Sequence, residues 1–179
     1  MTPERAQKMQ RMLQRRQQNL TVLLEDVYKP HNLSAILRTC DAVGIETVHA
    51  ICPTGGVPTY NDTSGGSHKW VQLVVHTCLH DALEDVHKQH MRIYAAHFSQ
   101  QAIHYRQADY TRPTCILLGN EKNGVSPAAA QQIDKHIVIP MMGMVPSLNV
   151  SVAAAVILFE AQHQRQAIGL YGLASATKK

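Results

Sequence analysis

The sequence predicts an α/β fold, a mostly parallel β-sheet flanked by helices. From residue 20 onward, apolar segments of strand length alternate with segments of helical periodicity. Several of the strand segments, among them "LTVLLEDV" (20–27) and "PTCILLG" (113–119), are apolar almost throughout, as strands covered on both faces are. With 45% hydrophobic and 17% charged residues, the 179-residue chain has the make-up of one globular domain with a real core. No internal repeat, linker or boundary divides it, so 1–179 reads as a single domain.

At the start, Thr2 can cap a helix, Pro3 suits its first position, and Met9, Met12, Leu13 and Arg16 recur at helical spacing, giving a helix over about 3–17. A buried strand (20–27) follows. "NLSAILRTCDAVG" then reads as a helix with Asn32 as its cap, Leu33, Ile36, Leu37 and Cys40 on one face, and Gly44 at its end. "TVHAIC" (47–52) is the next strand. The Gly/Pro/Ser/Thr-rich segment 53–69 is long for a connection in a compact domain, which points to a functional loop. "WVQLVVHT" resumes as strand, "LHDALEDVHKQ" as helix and "RIYAAHF" as strand. A polar stretch leads to the strand at 113–119, the turn "GNEKNGVS", a short helix (126–133), the strand "HIVIP" and a last helix (148–166).

The longest apolar run, Val150 to Phe159, is too short to span a bilayer, and the N-terminus lacks a signal peptide's apolar core. No membrane is implied, and cytoplasm is the default. Cys40, Cys52, Cys78 and Cys115 are widely spaced without C-x-x-C, which reads as reduced, mostly buried thiols. The net charge is only +4, but Arg5, Lys8, Arg11, Arg15 and Arg16 face a single acid, Glu4, within sixteen residues. Such a helix either contacts a phosphate backbone or is an ordinary solvated face.

Ligands of open α/β sheets sit beyond the carboxyl ends of strands. Three such ends carry special chemistry here: "KPHNLSAILR", "GNEKNGVS" and "PMMGMVPSLN". None matches a dinucleotide or triphosphate cradle. The methionine- and proline-rich third loop suits a flat heterocycle, and Gly119, Gly124 and Gly143 allow close backbone approach. Each polar residue has an ordinary reading as well. Asn32 and Asn149 can cap helices, Arg38 can snorkel to solvent, and Glu121 can pair with Lys122. Alternatively, Arg38 grips a phosphate, and the asparagines and the glutamate shape a pocket. "HTCLH" (76–80) sets His76, Cys78 and His80 at alternate positions, but structural zinc shows paired short spacings that this segment lacks.

Taken together, the three segments resemble the motifs of the SPOUT superfamily of RNA methyltransferases: "NLSAILRTCDAVG", "ILLGNEKNGVS" and "IPMMGMVPSLNVSVAAAVILFEA". The resemblance extends from about residue 9 to 166 and is strongest to the branch that methylates the ribose of guanosine 18 in tRNA. It implies S-adenosylmethionine as cofactor, tRNA as partner, no metal, a homodimer with the active site at its interface, and a deep trefoil knot over about 114–166. It assigns Arg38, Asn32, Glu121, Ser147 and Asn149 to the catalytic site. Cofactor contacts fall to Ala96 (where threonine is expected), Leu118, Gly119, Ile139, Met141 and Leu148. RNA contacts would come from Arg11, Arg15, Arg16, Lys29, His31 and Lys69. Alternative readings are methylation of tRNA position 34 or of ribosomal RNA, and a non-catalytic RNA-binding protein of the same fold. "AIGLYGLASATKK" is shorter than the basic extension many members carry at this end.

Overall fold

Thr2 caps the first helix, accepting the Arg5 amide at 3.4 Å, and Pro3 occupies its first turn. The computed structural model describes residues 2–53 and 70–171. Helix α1 (Pro3–Gln14) precedes strand β1 (Leu20–Glu25), helix α2 (Pro30–Ala42) and strand β2 (Thr47–Ile51). Then come β3 (Gln72–His76), α3 (Leu79–Lys88), β4 (Arg92–Ala96), β5 (Ile103–His104), β6 (Thr114–Leu118), α4 (Pro127–Ala130), β7 (Lys135–Val138) and α5 (Val150–Ala167). Most of the 53–69 segment, including Lys69, lies outside the described residues, as does the end of the C-terminal tail.

The seven strands form one sheet in the order β3-β2-β1-β6-β4-β7-β5, and every pairing is parallel. β1 and β6 are buried at every position, as their unbroken apolar runs require. Two strands late in the chain enter between earlier ones: β6 between β1 and β4, and β7 between β4 and β5. Their carboxyl ends thus flank that of β4. One face is covered by α2 and α5, around Leu33, Ile36, Ile116, Ile157 and Leu158. The other is covered by α3 and α4, around Leu83, Val86, Ile93, Leu117 and Ala129.

Three expectations change at the helices, one being that α4 covers only Pro127–Ala130 of the expected 126–133. α1 ends at Gln14, three residues early. α2 starts at Pro30, with Lys29 at the cap position and no side-chain capping bond, so Asn32 is not the cap. Proline's fixed φ suits the first helical turn and moves the start upstream. Asn32 is thereby placed inside the first turn, where it is buried. The polar stretch before β6 also holds the two-residue edge strand β5 and a 3-10 turn (Tyr105–Gln107).

Arg165 near the end of α5 is fully buried. Its guanidinium donates to the Tyr110 carbonyl (2.9 Å), Gln17 Oε1 (2.8 Å), Asn19 Oδ1 (2.7 Å), the Asn19 carbonyl (2.9 Å) and the Arg112 carbonyl (3.2 Å). Burial lowers its pKa, and neutral oxygens rather than a carboxylate satisfy its donors. Arg165 thus ties α5 to the segments entering β1 and β6.

Candidate active site

The loop after β6 is held by its own asparagine. Asn120 and Gly124 exchange backbone hydrogen bonds of 3.0 and 2.8 Å. The Asn120 side chain accepts the Lys122 and Asn123 amides (2.8 and 3.1 Å) and donates to the Asp26 carbonyl (2.9 Å). Gly124 sits at φ +69°, a conformation glycine adopts without strain. A Cβ at Gly119 would lie 2.2 Å from the Gly124 carbonyl carbon and the Val125 nitrogen, so only glycine fits there. From β1, the Glu25 carboxylate takes the Ser126 amide (2.9 Å) and hydroxyl, while the Ser126 oxygen caps α4 through the Ala129 amide.

A chain of side-chain hydrogen bonds joins the three loops. Asn32 Nδ2 donates to Glu121 Oε1 at 2.8 Å, and Asn149 Nδ2 donates to Asn32 Oδ1 at 3.1 Å. Asn149 Oδ1 meanwhile accepts the Ser151 amide (2.8 Å) and hydroxyl (2.7 Å) at the start of α5. Asn149 thus caps α5 with its oxygen while its amide reaches Asn32, so its two ends do different work. Glu121 Oε2 is buried and has no hydrogen-bond partner. A buried carboxylate oxygen without a donor is costly, so this one is available to a ligand.

Beside this chain lies a cavity of about 500 Å³, within the roughly 300–1,000 Å³ range of small-molecule sites. Ala96, Leu118, Gly119, Ile139, Met141 and Leu148 all line it, together with Glu121, Ser147 and Asn149. Ile137 and Ile157 add apolar wall, and Lys29, Lys122 and His97 add polar groups. His97 lies beside His136, ring centroids 5.4 Å apart, and burial followed by His97 keeps His136 below the usual imidazole pKa. Sequence reasoning missed His97 and Lys122 as lining residues, and also the Glu25–Ser126 anchor. An acid closing a strand, "LTVLLE", was the available signal for that anchor.

Other candidates lie apart. Arg38 is exposed on α2, has no hydrogen bond or ion pair among the described residues, and does not line the cavity. His31 is exposed one helical residue before Asn32. Arg11 and Arg15, with Lys8, line a second hollow between α1 and the end of α2. Arg16 does not belong with them. Its guanidinium is spent on the Ile45 carbonyl (2.7 Å), Asp41 (3.0 Å) and the Trp70 carbonyl (2.7 Å), which leaves it no free face for a phosphate. In "HTCLH", Cys78 and His80 are exposed, whereas His76 is buried against His49. Burial pushes the Cys40 and Cys115 thiols far above their ordinary pKa, making them inert, while Cys78 is exposed.

Fold and site together define a parallel α/β protein whose ligand cavity opens at the carboxyl ends of central strands, walled by three loops clasped through Asn32. The chain belongs to the SpoU rRNA Methylase family, whose profile matches residues 19–159. It is 59% identical over 170 residues to the tRNA (guanosine(18)-2'-O)-methyltransferase of Thermus thermophilus, covering 95% of this chain and 88% of that protein. Its structure is similar to the crystal structure of the A. aeolicus TrmH/SpoU tRNA modifying enzyme, with a TM-score of 0.88, 39% identity, and coverage of 98% of this chain and 89% of that one. It is also similar to the SpoU methyltransferase AviRb from Streptomyces viridochromogenes in complex with the cofactor AdoMet, with a TM-score of 0.74 and 26% identity over 84% of this chain and 62% of that one. Among the described residues no helix is long and apolar enough to cross a membrane.

Proposed function

We propose that this protein transfers a methyl group from S-adenosylmethionine to the ribose 2′-hydroxyl of guanosine 18 in tRNA. The observation that carries this reading is the cavity after β4, β6 and β7, bordered by the Asn149–Asn32–Glu121 chain. The 59% identity to a guanosine-18 enzyme points to this base rather than to position 34 or ribosomal RNA.

The residues present fit the cofactor. Leu118, Ile139 and Leu148 offer apolar wall, Gly119 and Met141 offer backbone, and the unpartnered Glu121 oxygen offers an acceptor. When bound, the cofactor supplies an electrophilic methyl on a sulfonium, a displacement that needs no metal. The protein's task is then to hold the hydroxyl in line and let its proton leave. Asn32 acts as a positioning residue: its donor fixes Glu121 and its acceptor fixes Asn149. Arg38 grips the phosphate beside the target ribose, and a phosphate oxygen or water takes the proton, because guanidinium is a poor base at neutral pH.

The chain acts as a homodimer, so that Arg38 of one protomer serves the cavity of its partner. Support comes from exposed Met142, Met144 and Val145 beside the cavity, and from Val152 and Phe159 on α5, all apolar side chains facing water. A deep trefoil knot over about 114–166 accords with the late insertion of β6 and β7 between earlier strands. Arg11, Arg15, Lys29 and His31 contact RNA phosphate, and binding falls steeply with salt.

The test is methylation of tRNA with labelled cofactor, followed by mapping of the modified ribose. Label at guanosine 18, lost in Arg38→Ala with cofactor affinity retained, supports the reading. Label at another position, or turnover unchanged in Arg38→Ala and Arg38→Lys, refutes it.

A further inference from the structure

We propose that His49, His76 and Asp85 bind one first-row transition-metal dication of the zinc class at the β2–β3 edge of the sheet. None of the three lines the proposed cofactor cavity, and the site rests on its own geometry. His49 comes from β2, His76 from β3 and Asp85 from α3. Both imidazoles are buried, with their rings stacked at 5.2 Å between centroids and 21° between planes. His49 Nδ1 lies 2.9 Å from His76 Nε2, and His76 Nδ1 lies 4.0 Å from Asp85 Oδ2. One ligand atom from each of the three residues falls within 4.8 Å of the others.

A hydrogen bond between the two imidazoles satisfies one nitrogen of each ring and leaves the rest of the cluster open. Buried polar atoms normally find partners, yet His49 Nε2 has none. Asp85 stands too far from His76 for a hydrogen bond. Imidazole and carboxylate lone pairs gathered within 4.8 Å, with His49 Nε2 unpaired and Asp85 unbonded to His76, match ligands arranged around a centre.

Two imidazole nitrogens bound to zinc at about 2.0–2.1 Å in tetrahedral geometry sit roughly 3.3 Å apart. The rings need part by only a few tenths of an ångström. Asp85 is half-exposed and free to swing inward, because Lys88 holds Glu84 at 2.9 Å and Asp85 only at 3.9 Å. Two imidazoles and a carboxylate suit zinc, cobalt or nickel and leave a position for water, whereas magnesium and calcium prefer oxygen ligands. The bound ion ties the edge strand β3 to β2 and α3. It takes no part in methyl transfer.

Chelator-treated full-length protein is titrated calorimetrically with Zn²⁺, and with Mg²⁺ as control, and the melting temperature is followed in parallel. One Zn²⁺ per chain with a raised melting temperature, no response to Mg²⁺, and visible absorption on loading Co²⁺ are expected. His76→Gln lowers Zn²⁺ affinity at least 100-fold and Asp85→Asn about 10-fold; the Asp85 variant changes only a half-exposed side chain and spares the fold. No saturable binding by the wild-type chain, or unaltered affinity in Asp85→Asn, overturns the assignment.

Discussion

Replacing Gly119 by alanine adds one methyl group at the most crowded point of the site. That Cβ would lie 2.2 Å from the carbonyl carbon of Gly124 and the nitrogen of Val125, and 2.3 Å from the Gly124 oxygen. All three are backbone atoms, so no side chain can rotate away. Restoring an ordinary contact of 3.4 Å moves one backbone against the other by about 1.2 Å. The paired hydrogen bonds between Asn120 and Gly124 cannot survive such a shift, at about 0.5–1.5 kcal/mol each. Overpacking adds roughly 1–3 kcal/mol, for a total loss of about 2–6 kcal/mol, read as a lowered urea midpoint at unchanged slope. Glu121 moves with the loop and away from Asn32, and displacements of about 1 Å near reacting groups cost on the order of 100-fold in rate. Cofactor affinity by calorimetry falls at least 10-fold. If Gly119→Ala keeps stability within about 0.5 kcal/mol and binds cofactor like the wild type, the reasoning about this loop is wrong.

Arg165→Met strands the acceptors on Gln17, Asn19, Tyr110 and Arg112, so stability in urea drops by at least about 3 kcal/mol; a smaller loss means that water replaces the guanidinium without penalty. Asn149→Ala removes a helix cap worth about 1 kcal/mol together with the donor to Asn32. Asn149→Asp keeps the cap, but its carboxylate has no N–H to give Asn32, and Asn32 is held from turning its amide round by its bond to Glu121. It therefore restores stability without restoring turnover, and equal recovery of both would refute separate roles. For pH, His49 binds fewer protons folded than unfolded because burial and His76 lower its pKa, so stability rises with pH. The contribution is whole above the unfolded value of about 6.5 and is lost as pH falls below it. In chelator-treated protein His49→Gln flattens this slope; a slope equal to the wild type's excludes His49 as its source.

Much of the site was legible because its chemistry is local. "GNEKNG" specifies a turn that closes on itself through Asn120 and Gly124, and "SLNVS" specifies a helix start through Asn149 and Ser151. The six positions expected to contact the cofactor line one cavity, because most of them lie at or just past strand ends, which parallel sheets gather on one side. Arg16 was misplaced for the opposite reason. Its spacing in a basic helix says nothing of the Ile45 and Trp70 carbonyls that fold back onto it. Asn32 reads as a cap in the sequence because asparagine favours that position ahead of an apolar helix face, but Pro30 opens the helix two residues earlier.

The sequence by itself determined the α/β class, most of the order of elements, the caps at Thr2 and Asn149 and the turn at Asn120–Gly124. These depend on periodicity, side-chain shape and backbone preference over a few positions. Only the tertiary structure decided that β6 enters between β1 and β4, that Asn32 clasps residues 89 and 117 positions away, and that Arg165 is buried among neutral oxygens. It alone set His49 against His76 across two adjacent strands. Such partners are chosen by how the sheet closes and which polar groups are stranded when it does, and no local pattern encodes that choice.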